Sequence, residues 1–471
     1  MGKYRKLFQN TIVLTIGQMS GRLLGFLLIP LYTSVLATSE YGTYDIIVTT
    51  VTLLSPLLTL VISEATLRFC IDKEYENSDV FTFSILITLA GSCVLIVLMP
   101  LAAQVEALRQ YYLWIVVFFI TTNIQSVLLQ YLKGIGSVVE YTIMGFAGCV
   151  LTLVSNIVFL LVFQWGIQGY LMATALSHTV IVISIFFRNR MWKKLKNPLL
   201  LDRNICRQML AFSMPMIPNS ISWWVSNSSD KYMLMYFVSA SAVGIYSVGY
   251  KIPTILTLFV SMFVAAFQLS IFEVFGEKHD QHFYVNTYRM TSAMLFPMAS
   301  VLIFSSKYLA YILYQNAFYE SWKVGCILIL SFVFNSLSSL LGTLYTAEKK
   351  TLFLLISTSA AAVINIVLNL LTIPHWGFYG AAIATLISYM SVWLLRIWHQ
   401  KQTRKIFVVN ITTLVSISLV VIQAFVELKY GVNQVLLSAS ITMLVVCIAV
   451  VELNRIGLFK VLANRQRMKE R

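Results

Sequence analysis

Apolar runs of about 20 residues recur from one end of this chain to the other, which is the length an α-helix needs to cross a bilayer. Fourteen such spans are predicted, near 9–36, 43–66, 80–103, 111–132, 139–163, 168–187, 210–236, 243–271, 291–313, 322–346, 352–373, 377–398, 405–427 and 433–452. Charged residues make up only 11% of the sequence, against about 25% in a soluble domain. The longest polar connection, about 188–208, is too short to fold into a domain of its own. The fold class is therefore an all-α polytopic membrane protein. The basic start followed by an apolar run reads as an uncleaved first span, since the run is long and no small-residue cleavage site follows. The six cysteines are dispersed, without a CxxC, and read as free thiols packed in helices.

The chain repeats itself. Val154, Asn156, Ile157, Val158, Trp165, Gly166, Gly169, Ala173, Thr174 and Ser177 match Val363, Asn365, Ile366, Val367, Trp376, Gly377, Gly380, Ala384, Thr385 and Ser388. Ser39, Gly42 and Tyr44 match Ser241, Gly244 and Tyr246. The offset grows from 202 to 211 residues, so loops changed length while helices kept register. Each half holds six spans, an even number, which makes the repeats parallel and related by an axis along the membrane normal. The expected organisation is an N-terminal lobe over 1–187, a basic linker over 188–209, a C-terminal lobe over 210–400, two appended spans over 401–452 and a basic tail over 453–471. In so apolar a chain, two parallel six-span lobes point to a transporter with its substrate in a central cavity between them. Trp165 and Trp376 fall at equivalent outer ends, where interfacial anchoring accounts for both.

The net charge of +15 is not spread like that of a nucleic-acid-binding protein. With the N-terminus inside, about 27 of the 34 Lys and Arg fall in cytoplasmic segments, clustered at Lys3/Arg5/Lys6, Arg188–Lys196, Arg203/Arg207, Arg396–Lys405 and Arg455–Arg471, the asymmetry that fixes topology with both termini in the cytoplasm. The basic loops are topology signals and sites of contact with anionic membrane lipid. Nucleic acid is not an expected partner.

Ionisable side chains within the spans cost at least ~2.5 kcal/mol each unless they face a cavity or a partner. Arg22 lies halfway along the first span, with Gln18 one turn before it on the same face. In the second span Asp45, Thr49, Thr52, Thr59 and Ser63 share one helical face, with Glu64 and Arg68 near its inner end. The seventh span aligns Asn219, Ser226 and Asp230, with Lys231 beside the last, and Lys251 lies a couple of turns into the eighth. These polar stripes come from matching places in the repeat and predict a wet cavity. Three acids (Asp45, Glu64, Asp230) and three bases (Arg22, Lys231, Lys251) balance in number. By depth, however, the innermost pair is cationic, Arg22 and Lys251, which favours an anionic substrate held through charge-assisted hydrogen bonds. The acids near the mouths are candidates for ion coupling or, with Arg68, for ion pairs. Three glycines at 17, 21 and 25 read as a close-packing stripe.

Catalytic and nucleotide motifs are missing: no GxxxxGK[ST], HExxH or GxSxG occurs, so no catalytic residue, cofactor or ATPase site is expected. His279 and His282 near Glu273, Glu277 and Asp280 match no standard metal spacing and read as a solvated loop.

Gly42-Thr43-Tyr44, Glu64 through Arg68-Phe69, Asp230-Lys231, Val243-Gly244-Ile245-Tyr246-Ser247 and Tyr250-Lys251-Ile252 together resemble the multidrug/oligosaccharidyl-lipid/polysaccharide (MOP) flippase superfamily, in its Wzx-type polysaccharide flippase branch. The repeated Asn-Ile…Trp-Gly…Gly…Ala-Thr segment is similar to that family's paired connections. The resemblance implies a bacterial inner-membrane protein that moves a polyprenyl-diphosphate-linked oligosaccharide outward by alternating access, for O-antigen, capsule or exopolysaccharide assembly. It implies cavity cations, which Arg22 and Lys251 match best and Lys231 less well. A polysaccharide polymerase and other assembly proteins are the partners it implies, and it gives the last two spans a role in supporting the lipid tail. Two other readings stay open: a proton- or sodium-coupled drug or organic-cation exporter using Asp45 or Asp230, and a non-transporting scaffold for a polysaccharide synthase. A lone buried carboxylate in the cavity would favour the exporter.

Overall fold

The computed structural model describes residues 25–72, 74–102, 109, 111–260, 280–347, 352–430 and 434–456. These residues form helices and turns and, among them, no strand. A chain this apolar has to satisfy its backbone within each segment, because lipid offers no hydrogen bonds. Ten described helices are long and apolar enough to cross a membrane, or eleven when a bent pair is taken as one span. That count does not reach fourteen. The first predicted span is described only from Gly25, the seventh is too polar to qualify, and the eleventh and twelfth form one continuous element. The chain divides into two compact units, Met1–Ser229 and Asp230–Arg471.

In the first unit, α1 (Ile29–Val35), α2 (Thr38–Leu58), α3 (Ile62–Ile71), α4 (Asn77–Ala102), α5 (Tyr112–Gly134), α6 (Val138–Asn156), α7 (Gly166–Arg188) and α8 (Arg203–Ser213) follow in order. α5 packs against α2, α3, α4 and α7. The second predicted span is broken: α2 and α3 are bent by 58°. Pro56 sits in the last turn of α2, and Leu60 and Val61 then take left-handed backbone angles, φ 54° and 55°. That conformation is strained for a β-branched residue such as Val61. Gly91 of α4 receives the broken end, since a Cβ there would lie 2.2 Å from the Leu58 carbonyl oxygen.

The predicted basic linker is clasped to this unit. Lys196 Nζ pairs with Glu76 and lies 3.1 Å from Asp79 Oδ1, while its backbone N–H donates to Thr82 Oγ1 at 3.0 Å. Asn189 donates to Glu140 at 2.8 Å, and Tyr75 Oη donates to Gln208 at 2.6 Å. Met191 of the linker and Ile205 and Met209 of α8 are buried in one cluster with Phe81, Tyr131 and Ile185. Lys196 holds Glu76 below the usual carboxylate range, and Glu76 in turn raises Lys196.

α9 (Met216–Phe237) carries nine polar residues between Asn219 and Lys231, which is why it fails as an apolar span. In the second unit, α10 (Ala240–Gly249), α11 (Asp280–Leu313), α12 (Ser321–Ala347), α13 (Leu352–Arg404), α14 (Ile411–Tyr430) and α15 (Val435–Arg455) follow. α12 is the axis of this unit, 89% buried over its apolar window. α13 carries two predicted spans joined at Gly377, whose φ of 55° and ψ of −133° are non-helical. α14 and α15 are held to α11 by a buried polar layer: Gln423 Nε2 donates to Thr442 Oγ1 at 2.9 Å and to the Ser300 carbonyl at 3.2 Å.

Candidate functional site

The repeat builds the same small device in each unit. In the first, Tyr44 Oη on α2 lies 3.4 Å from Thr174 Oγ1 on α7; in the second, Tyr246 Oη on α10 lies 3.3 Å from Thr385 Oγ1 on α13. Gly166 and Gly377, which match in the repeat, both take a left-handed φ, 54° and 55°. In the first unit the positive φ seats the start of α7 against Glu40. That carboxylate accepts the backbone N–H groups of Ala37 at 2.8 Å and Ile167 at 3.3 Å, and a Cβ at position 166 would sit 2.9 Å from its oxygen.

The surroundings of the two tyrosines differ. Tyr44 stacks on Tyr170 with ring centroids 3.7 Å apart, and Tyr32 stacks on Tyr170 at 4.3 Å. Tyr246 instead donates its hydroxyl to Asp230 Oδ2. Asp230 Oδ1 accepts the backbone N–H of Lys231 at 2.9 Å. Tyr246 is fully buried and Asp230 is 2% exposed. Tyr250 Oη lies 3.4 Å from Tyr246 Oη, with the two rings edge to face. By the 202-residue offset the first unit has Leu28 where the second has Asp230. A buried carboxylate bonded by a buried tyrosine at this place of the second unit thus has no counterpart at Leu28, and its chemistry is that of a group that can bind or release a cation or a proton.

Lys251 follows α10 in a turn over residues 250–253, before helix resumes at Thr254. Pro253 lacks an amide hydrogen and biases the residue before it away from helix, so the sequence itself places the break. Gly249 lets the chain approach α12 there, since a Cβ would lie 3.1 Å from the Ser321 carbonyl oxygen. Lys251 is half-buried, and among the described residues its ammonium has no ion pair or hydrogen bond. An unpaired ammonium part-way along a span is costly to leave without a counter-charge.

The other predicted residues are scattered. Arg22 and Gln18 lie outside the described residues. Asp45 is half-buried one residue after Tyr44, Lys231 is half-buried, and Asn219 is exposed. Glu64 is half-buried in the first turn of α3; Arg68, exposed, reaches Asp72 at 3.7 Å and not Glu64. Of the predicted polar stripe, Thr49 and Thr59 are buried while Thr52 is exposed. The Thr49 carbonyl accepts Trp224 Nε1 at 3.0 Å. His279, Glu273 and Glu277 also lie outside the described residues, and no metal-binding cluster occurs among those described.

Sequence reasoning missed two buried polar groups. Arg396 was expected in a cytoplasmic basic cluster. It is 4% exposed, and it donates to the Ser338 carbonyl at 2.6 Å and to Ser357 Oγ at 3.1 Å, tying α13 to α12. His178 Nδ1 on α7 meets Gln125 Oε1 on α5. Neither has a motif; Arg396 is given away only by lying within the apolar period of its span.

The architecture is similar to that of solved MOP-superfamily structures. The fold is similar to a structure of the lipid II flippase MurJ in an inward closed conformation, with a TM-score of 0.68, 14% identity, and 94% of this chain and 99% of that one covered. An inward-facing multidrug resistance MATE family transporter of the MOP superfamily aligns with a TM-score of 0.64 at 16% identity, covering 83% of this chain and 98% of that one. A Vibrio cholerae MATE transporter aligns at 0.56 and 16% identity, covering 85% and 97%. No curated protein matches the chain. The sequence profile of the polysaccharide biosynthesis protein family matches residues 7–268, and the chain belongs to that family.

Proposed function

We propose that this protein is a flippase that moves a polyprenyl-diphosphate-linked oligosaccharide from the inner to the outer leaflet of a bacterial plasma membrane, with both termini in the cytoplasm. Two six-span halves, 1–187 and 210–400, alternate access in this reading, and residues 401–452 support the lipid tail. Membership of a polysaccharide biosynthesis family and the likeness to a lipid II flippase support a lipid-linked substrate. The observation that carries the anionic part is Lys251, an unpaired half-buried ammonium at a helix break. A diphosphate supplies the counter-charge, and Arg22 is its proposed second anchor, with Lys231, Gln18 and Asn219 as further contacts. Anionic lipid, a polymerase and other assembly proteins are the proposed partners.

Asp230 is the observation that favours the exporter reading, because it is a buried carboxylate among tyrosines. In a flippase the same group serves as the coupling site, taking up a cation or proton as the substrate leaves; Asp45 and Glu64 are weaker candidates. The test is flipping of a fluorescent polyprenyl-diphosphate sugar in proteoliposomes without nucleotide. Lys251→Ala is expected to slow it roughly 10- to 150-fold, the worth of a charged hydrogen bond, while Lys251→Arg keeps part of the rate. Unchanged flipping by Lys251→Ala, or transport of organic cations with none of the lipid, would refute the reading.

A further inference from the structure

The clasped linker leaves an apolar patch bare. Leu199 and Leu200, adjacent in one helical turn over Pro198–Leu200, are 91% and 75% exposed. At the other end of the same stretch Phe187 and Trp192 are exposed, their rings edge to face with centroids 5.6 Å apart. A single exposed leucine is ordinary on any protein; two side by side, near two exposed aromatic rings, mark a surface that something covers. The points where the linker is pinned say what covers it. One is α7, a helix long and apolar enough to cross the membrane, which ends at Arg188, so Trp192 packs beside its last turn. The other is the start of α4, a second such helix, where Lys196 reaches Glu76 and Asp79 and its backbone N–H donates to Thr82. Leu199 follows Lys196 by three residues, no more than about 11 Å of extended chain. A segment tied to the ends of two membrane-crossing helices runs along the membrane surface at headgroup depth.

The charges on this stretch select the lipid. Arg190 and Lys193 are exposed between the aromatic pair and the leucine pair, and among the described residues neither makes an ion pair. Cations at the surface are drawn to anionic headgroups, tryptophan settles at the water–hydrocarbon boundary, and leucine prefers the acyl chains. A protein partner fits less well, because protein interfaces are depleted of lysine. We propose that residues 187–200 form an in-plane anchor: Leu199 and Leu200 enter the acyl region of the adjacent leaflet, Trp192 lies at its boundary, and Arg190 and Lys193 hold the phosphates of anionic lipid. The linker is then a membrane-attached part of the first unit, in addition to joining the two halves of the chain. The proposal deepens the reading of anionic lipid as a partner and rests on the membrane-crossing helices, not on any transported substrate.

The test replaces Leu199 by a genetically encoded fluorescent amino acid in the full chain, held in nanodiscs of phosphatidylcholine with or without phosphatidylglycerol. The same label in place of Asn204, an exposed polar residue of α8, is the comparison. Quenchers are acrylamide, from the water, and lipids brominated on their acyl chains, from the membrane. Leu199 has little packing to lose, so the label leaves the fold intact. With phosphatidylglycerol present, acrylamide is expected to quench the label at 199 several-fold less than the label at 204, and brominated chains to quench 199 alone. Omitting phosphatidylglycerol, or introducing Arg190→Gln with Lys193→Gln, is expected to lower the inserted-to-exposed ratio at 199, by roughly 5-fold for each cation removed. Equal acrylamide quenching at 199 and 204 would overturn the anchor. Protection at 199 without quenching by brominated chains would overturn it too, since protein and not lipid would then cover the patch. Insertion indifferent both to phosphatidylglycerol and to the double variant would overturn the assignment to anionic lipid. The readout requires no transport, so its failure leaves the flippase reading standing, and the reverse holds too.

Discussion

The Tyr246–Asp230 hydrogen bond lends itself to a double-mutant cycle of Tyr246→Phe, Asp230→Asn and both. Tyr246 is fully buried and Asp230 is 2% exposed, so water does not replace the bond when it is lost. A hydrogen bond to a charged acceptor contributes about 1.5–3 kcal/mol, and one between neutral groups about 0.5–1.5 kcal/mol. Interhelical hydrogen bonds in membrane proteins average nearer 0.6 kcal/mol. Asp230→Asn keeps the volume but replaces one acceptor oxygen by a donor NH₂. Oδ1 already receives the Lys231 N–H, so the new donor is forced toward the Tyr246 hydroxyl, or the amide flips and opposes the backbone instead. With Asp230 ionised, the coupling energy from reversible unfolding in mild detergent should be about 1.5–3 kcal/mol, roughly 10- to 150-fold in the equilibrium constant. In proteoliposomes, Asp230→Asn should abolish acceleration by an ion gradient while leaving downhill flipping intact. A coupling energy below about 0.5 kcal/mol, together with undiminished gradient-driven transport, would refute the view of Asp230 as a charged, coupled group.

Two further outcomes follow from the packing and the clasp. Gly91→Ala should lower the melting temperature in detergent by the equivalent of at least ~1–3 kcal/mol, because its Cβ would press on the Leu58 backbone; Gly145→Ala, with nothing within 4 Å, should be neutral or stabilising by up to ~1 kcal/mol, and equal melting of the two would contradict the packing. The Lys196–Glu76 clasp should depend on pH in two windows. Glu76 is depressed, so its contribution is present above its ordinary value and is lost as acid titrates it at its lowered value. Lys196 is raised, so its contribution is present below its ordinary value and is lost only in strong alkali. Protection of the amides around residue 196, taken relative to the intrinsic exchange rate at each pH, should therefore be greatest near neutrality and fall at both extremes, a pattern that Lys196→Gln removes.

The helices were legible because a bilayer leaves the backbone few alternatives, and the repeat was legible because its glycines and small residues are forced by close approach. Tyr44, Thr174, Tyr246 and Thr385 stood in the sequence as marks of register; only the fold makes them hydrogen-bonding pairs, since each tyrosine and threonine are more than 100 residues apart. The break after Leu58 left little trace. Leu60 and Val61 are ordinary apolar residues, and Pro56 is tolerated in many spans. The eighth span reads in sequence as unbroken over 243–271, although Pro253 marks the turn in which Lys251 lies. The linker was read from its positive charge as a tether, but charge says nothing about Met191 and Met209, whose burial decides what it does. Arg396 was assigned to the cytoplasm by the same counting of charges, which is blind to one arginine turned inward.

The clasped linker bears on how the chain is made. All of its anchors, from Thr82 and Glu140 to Asp79, precede it in sequence, so each has already left the ribosome when Lys196 and Met209 emerge. The first unit can therefore close the surface that carries the linker during synthesis, before the second has entered the membrane, and domains that fold in order of emergence are spared mispairing with later segments. In a duplicated protein that protection matters, because the later half carries helices similar enough to compete for the same partners.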